Sequence, residues 1–230
     1  MNGILLIDKP KGWTSFDVVN KVRHIIQQSG LNTTGRKRFP VGHTGTLDPL
    51  ATGLLVILVG NFTKKATELT KLDKVYEVTM TLGKTSTTGD EEGEKTQINT
   101  QQPTRDELQQ VVEQFIGEVM QTPPAYSAIK INGQRAYKLA RQGKEVKLEP
   151  RKATIHGLKI NSYKYPVVKF TAKVSSGTYI RSLVEDIGMK LDTGAYMSDL
   201  RRTKVGDFNI EKVIRIDNLS PQQIYDSIIN

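Results

Sequence analysis

The chain has no cysteine and three histidines, His24, His43 and His156, which lie far apart without HxH or HxxxH spacing. The missing thiols exclude a disulfide scaffold, a thiol nucleophile and cysteine-ligated zinc or iron–sulfur sites. The scattered histidines leave no basis for a metal centre, so none is expected. Long hydrophobic runs are lacking too. The longest, Leu54–Val59, is six residues, far below the roughly 20 needed to span a bilayer and suited to a buried strand. Only four consecutive aliphatics, Ile4–Ile7, occur near the start, with no basic residue before them. A signal peptide is therefore not expected, and the reading is cytoplasmic with no membrane partner.

What is present in excess is positive charge. The 230 residues carry a net charge of +9, which points to a polyanionic partner. Residues 1–75 hold 11 Lys/Arg against 5 Asp/Glu, residues 76–125 hold 3 against 9, and residues 126–230 hold 19 against 10. The densest stretch, 130–152, contains Lys130, Arg135, Lys138, Arg141, Lys144, Lys147, Arg151 and Lys152 against Glu145 and Glu149, with Tyr126 and Tyr137 interleaved. Such a segment is either a solvated face or an arm against phosphates, where displaced counterions make binding salt-dependent.

A helix is expected from Thr14 or Ser15 to Gln28, with Phe16, Val18, Val19, Val22, Ile25 and Ile26 as its apolar face. A second is expected over Pro103–Ile116, capped by Thr104 with Glu107 completing a capping box. Further helices are read over Thr63–Leu72, near Gln134–Arg141 and over Ser182–Leu191. Strands are read at Ile4–Ile7, Leu54–Val59, Val75–Leu82, Ala153–Lys159, Val167–Val174 and Asp207–Val213. Ser29–Pro40 reads as a mobile loop and Lys84–Gln102 as an acidic one. The mixture lacks strict βα alternation, so an α+β domain around a mixed sheet is expected.

One loop concentrates chemistry: Gly42-His43-Thr44-Gly45-Thr46-Leu47-Asp48-Pro49-Leu50-Ala51-Thr52-Gly53. The proline holds Asp48 toward an extended backbone, and the glycines permit close ligand approach. By spacing alone, an Asx-turn is the better explanation of Asp48-Pro49.

Read whole, this loop resembles the catalytic loop of the TruB family of tRNA pseudouridine-55 synthases. Asp8-Lys9-Pro10-Lys11-Gly12-Trp13-Thr14-Ser15 resembles the family's opening DKPxGxTS, and Lys74-x-Tyr76 its KxY strand. Pro123-Pro124-Ala125-Tyr126-Ser127-Ala128-Ile129-Lys130, with Gly133, Tyr137, Ala140-Arg141 and Gly143, resembles its RNA-gripping insertion. Ser176-Gly177-Thr178-Tyr179-Ile180-Arg181 and Leu200-Arg201-Arg202-Thr203 resemble the SGTYIR and LRRT motifs. Two departures stand out. Ser86 occupies a threonine position of LGxxTxTxDxxG, and the sequence ends at Asn230, before the PUA-type domain usual in the family.

The resemblance implies a pseudouridine-synthase fold, a mixed and mainly antiparallel sheet flanked by helices. It implies a catalytic domain over 1–215, with the insertion at about 123–152, and a short tail over 216–230 without a full PUA domain. It implies isomerisation of uridine in the tRNA T-loop without a cofactor, by a monomer with no obligate protein partner. Asp48 would be the catalytic carboxylate, attacking C1′ or taking a sugar proton, with Arg181 orienting it and Tyr76 stacking on the base and assisting at C5. His43 would fill the gap left by the flipped nucleotide. Tyr179 and Leu200 would contact that nucleotide, while Lys130 and Arg141 would hold RNA. A different class, a non-catalytic tRNA-binding or RNA-folding chaperone, would share the basic surface.

Overall fold

The computed structural model describes residues 1–30, 38–127, 129–131, 133–144, 146, 148–217 and 219–229. Most of the segment read as a mobile loop, residues 31–37, lies outside the described residues. The elements run β1 (Gly3–Lys9), α1 (Ser15–Gln28), β2 (Val41–His43), β3 (Thr52–Val59), a 3₁₀ turn (Gly60–Lys65), α2 (Ala66–Leu69), β4 (Lys74–Leu82), β5 (Lys84–Ser86) and β6 (Lys95–Gln97). Then follow α3 (Arg105–Glu113), β7 (Gly117–Gln121), β8 (Lys130–Ile131), β9 (Gln134–Arg135), α4 (Ala136–Arg141), β10 (Arg151–Lys164) and β11 (Val167–Val174). The chain closes with α5 (Ile180–Lys190), β12 (Ala195–Val205), β13 (Phe208–Asn209), a 3₁₀ turn (Ile210–Lys212), β14 (Ile214–Arg215) and α6 (Pro221–Asp226). The class is α+β, as expected.

The chain forms two compact units, the first comprising Met1–Tyr76 with Leu200–Asn230 and the second Glu77–Asp199. In the first, β1 pairs antiparallel with Gly53–Val59 of β3 and parallel with β14. The other edge of β3 is shared. β2 takes it at Ile57–Val59, and β12 takes it at Thr52 and Gly53 opposite Arg201 and Arg202. Successive side chains of a strand point to opposite faces, and here both faces are covered. Leu5, Ile7, Leu55, Ile57 and Val59 pack with α1, Phe39 and Ile224 of α6. Ile4, Leu6, Leu54, Val56 and Leu58 pack against Phe62, Leu69 and Leu72. Double burial explains why Leu54–Val59 is an unbroken aliphatic run. Within the segment read as a tail, 216–230, the described residues pack into this unit: Ile216, Leu219 and Ile224 are in its core, and Ile229 pairs with Ile4.

In the second unit β10 forms a long antiparallel hairpin with β11 and pairs antiparallel with β7, while α5 buries Ile180, Leu183, Val184 and Ile187. The expected capping box of Thr104 with Glu107 is present, and the first helix, for which only a cap was expected, has one too, Thr14 with Asp17.

Some expectations need correction. Phe16 is 55% exposed; at about 100° per residue it lies roughly 120° from the centre of the stripe formed by Val18, Val19, Val22, Ile25 and Ile26. The second helix ends at Glu113, because single 3₁₀-type bonds and Gly117 at φ +114° turn the chain into β7, leaving Ile116 exposed. Lys84–Gln102 contains the β5–β6 hairpin. Thr63–Leu72 is a 3₁₀ turn followed by one turn of α-helix. Asp207–Val213 is strand only at Phe208–Asn209, since the Asn209 side chain accepts from Glu211 N and starts a 3₁₀ turn.

Candidate active site

The loop carrying Asp48 leaves β2 after His43 and re-enters β3 at Thr52, so its two ends are fixed along one edge of the same strand. Its interior is tied as well. Thr44 N donates to Val56 O (3.1 Å), and Ala51 N donates to Asp48 O (3.0 Å), closing a turn at the Asp-Pro step. Ser15, which opens α1, accepts from Leu47 N (2.8 Å) and donates to Leu47 O (3.1 Å) through one hydroxyl. Gly12 N donates to Pro49 O (2.8 Å). Leu47 and Leu50 are buried on either side, which leaves Asp48 half-buried above two apolar pegs.

Beneath the loop lies a group of buried cations that the sequence did not mark as site residues. Lys9 is fully buried, and its ammonium donates to the carbonyls of Trp13 (2.6 Å), Pro10 (3.0 Å) and Pro49 (3.4 Å). Burial lowers its pKa to about 8, against which the nearby Asp48 carboxylate works by favouring the charged form. Arg202 is 1% exposed and donates to Leu54 O (2.8 Å) and Gly45 O (3.1 Å). Gly53, at φ +100°, is needed here, because a side chain would collide with the Arg202 backbone. Lys74 donates to Thr70 O (2.6 Å) and Leu72 O (2.5 Å), and burial lowers it too to about 8. The signal for Arg202 was the consecutive Arg201-Arg202 on a strand, whose side chains must face opposite ways. Arg201 takes the other side and forks onto Asp8 at 2.8 and 3.1 Å.

His43 Nδ1 accepts from Gly45 N (3.3 Å). Burial, and then the charge of Arg202, push its pKa below the ordinary histidine value, favouring the neutral ring with its proton on Nε2. Tyr76 lies on the inward register of β4 and Leu200 on that of β12; both are buried, and Leu200 O accepts from Thr52 Oγ1 (3.5 Å). The first unit therefore holds Asp48, His43, Tyr76 and Leu200.

The second unit holds Arg181 and Tyr179. Arg181 is buried in the first turn of α5, with Nη1 3.4 Å from Asp90 Oδ2 and donating to Thr88 O (3.2 Å), while Nη2 donates to Tyr126 O (2.8 Å). Asp90 is fixed in turn: Oδ1 accepts from Thr88 Oγ1 (2.5 Å) and Glu92 N (3.1 Å), and its carbonyl accepts from Ser86 Oγ (2.6 Å). The serine at the family's threonine position thus uses the hydroxyl the two residues share. Sequence reading did not single out Asp90; its signal was the TSTTGD run, which places hydroxyls ahead of an acid. Tyr179 is half-buried at the N-cap of α5. Lys130 falls on β8 and Arg141 at the end of α4, and their side chains lie outside what is described. Lys138 and Lys144 in the same segment are exposed.

A family model described as TruB family pseudouridylate synthase (N terminal domain) matches residues 33–180, and one described as tRNA pseudouridylate synthase B C-terminal domain matches residues 181–227. tRNA pseudouridine synthase B of Clostridium novyi (strain NT) is 45% identical over 230 residues, covering all of this chain and 76% of that protein. The protein of the same name from Flavobacterium johnsoniae is 44% identical over 215 residues, 93% of this chain and 92% of its own length. Among solved structures, a chain of a Cbf5-Nop10-Gar1 complex superposes with a TM-score of 0.73 at 29% identity, over 99% of this chain and 57% of that one. A chain of an H/ACA RNP bound to a substrate RNA containing 2'-deoxyuridine gives 0.69 at 27% identity, over 99% and 56%.

Proposed function

The chain belongs to the TruB family of pseudouridylate synthases and isomerises uridine to pseudouridine in tRNA; from that premise we propose that the T-loop uridine at position 55 is its target and Asp48 its catalytic carboxylate. The observation that carries the assignment is the Asp48 loop itself, tied at Thr44, Leu47, Pro49 and Ala51 and floored by Lys9 and Arg202. A carboxylate held this way is pre-oriented for attack on a bound nucleotide.

In this reading the target nucleotide is flipped out of the T-loop, at a cost of a few kcal/mol of unstacking. The neutral His43 ring stacks in the gap. The N1–C1′ bond breaks, uracil turns, C5 bonds to C1′, the C5 proton leaves and N1 gains one. Asp48 supports the electron-poor sugar, as a carboxylate does in a retaining glycosidase. Tyr76 stacks on the base and takes part in the C5 proton transfer. Arg181, held by Asp90, is assigned the role of partner to the catalytic carboxylate, and Tyr179 and Leu200 that of contacts to the nucleotide. Lys130, Arg141 and their cationic neighbours grip the T-arm phosphates. The protein acts as a monomer in the cytoplasm; among the described residues no helix is long and apolar enough to cross a membrane.

Tritium release from 5-³H-uridine tRNA tests the reading. Wild type releases label and Asp48→Asn does not, with tRNA binding retained by both. Release by Asp48→Asn would remove Asp48 from the chemistry. Binding without release by wild type would favour an RNA chaperone instead.

A further inference from the structure

The segment that leads into the basic insertion is clamped by the start of α5. Gln121 brackets the Tyr179 backbone, its Oε1 accepting from Tyr179 N (3.1 Å) and its Nε2 donating to Tyr179 O (3.3 Å). Thr122 O accepts from Ser182 Oγ (2.9 Å), and Tyr126 O accepts from Arg181 Nη2 (2.8 Å). The next side chain is Ser127. It is 5% exposed, and its hydroxyl is the one buried side-chain polar atom without a hydrogen-bond partner among the described residues. A buried hydroxyl left unbonded is unfavourable, and an alanine of nearly the same volume would avoid that. Ser127 is thus worse than alanine for the free protein at a point where the clamp ends and the cationic stretch begins.

We propose that Ser127 is an affinity-determining residue that acts through the protein: its hydroxyl gains an acceptor only in the RNA-bound form. The burial of the oxygen keeps RNA from touching it directly, so the acceptor is a protein group brought into reach when RNA loads the neighbouring cations. A ligand shifts an equilibrium only by what it favours differently in the two states. Here that difference is one hydroxyl, unbonded in one state and bonded in the other. The inference rests on tRNA being the substrate.

The test compares wild type, Ser127→Ala and Ser127→Cys, a near-isostere with a weak donor. The measurements are Tm, tRNA affinity across a salt series, and steady-state tritium release. In both variants Tm should stay the same or rise, while tRNA Kd and KM increase roughly fivefold to tenfold with kcat unchanged. The salt slope should not change, since no phosphate contact is lost. A fall in Tm for Ser127→Ala would overturn the proposal, because the hydroxyl would then be bonded in the free protein. An unchanged Kd would overturn it equally, and a flatter slope would mean direct phosphate contact. Wild-type release in the same assay separates these outcomes from failure of the synthase assignment.

Discussion

The two units bury cations in opposite ways. In the first, Lys9, Lys74 and Arg202 donate to main-chain carbonyls of Trp13, Pro49, Thr70, Leu72, Leu54 and Gly45. In the second, Arg181 faces a carboxylate, Asp90, which two donors hold in place. Carbonyl dipoles satisfy hydrogen bonds but do not cancel charge, so both lysines fall to about 8. The carbonyl-bonded cations act as braces for loop backbone, whereas the ion pair fixes the direction of one guanidinium. The same residue types thus serve shape in one unit and orientation in the other.

The sharpest break in this comparison is Asp90→Ala. It removes the carboxylate that faces the buried Arg181 guanidinium and should cost about 3–5 kcal/mol, read from urea unfolding, with tritium release reduced as well. A loss under 1 kcal/mol would mean that Asp90 contributes little to holding Arg181. Next is Arg202→Met, which keeps much of the volume but leaves Leu54 O and Gly45 O without their donors. About 2–3 kcal/mol is expected, accompanied by lost activity because the Asp48 loop rests on Gly45. Full activity would show the brace to be dispensable.

The smallest effect lies in pH. Lys9 and Lys74 have folded pKa values lowered from 10.5 to about 8. Between those values the unfolded chain holds protons that the fold has released, so stability should rise with pH from about 8 to 10.5, and no such gain exists below 8. Lys9→Met should remove part of that rise, on the order of 1–2 kcal/mol, measured as unfolding free energy against pH. An identical slope in wild type and variant would mean that Lys9 is ionised throughout.

The parts of the fold legible in sequence were those where one local rule acts alone. The cap of α1, the capping box of α3 and the buried strand β3 are examples. β12 escaped notice because its inward register includes Arg202, a charged residue where periodicity leads one to look for an aliphatic. α6 escaped because its docking rests on one buried residue, Ile224, too few to make a stripe. The site divides similarly. Asp48 stood out within a motif, whereas Lys9 and Arg202 do their work through carbonyls, and carbonyls leave no trace in composition.

The shared edge of β3 has a consequence for the timing of the reaction. With β2 and β12 holding the loop at both ends, the entropy of ordering residues 44–51 is spent once, when the chain folds, and not again at each encounter with RNA. If Asp48 has the role proposed for it, its carboxylate stays in one position between turnovers. Reorganisation on binding would then belong to the nucleic acid and to the cationic segment proposed to receive it.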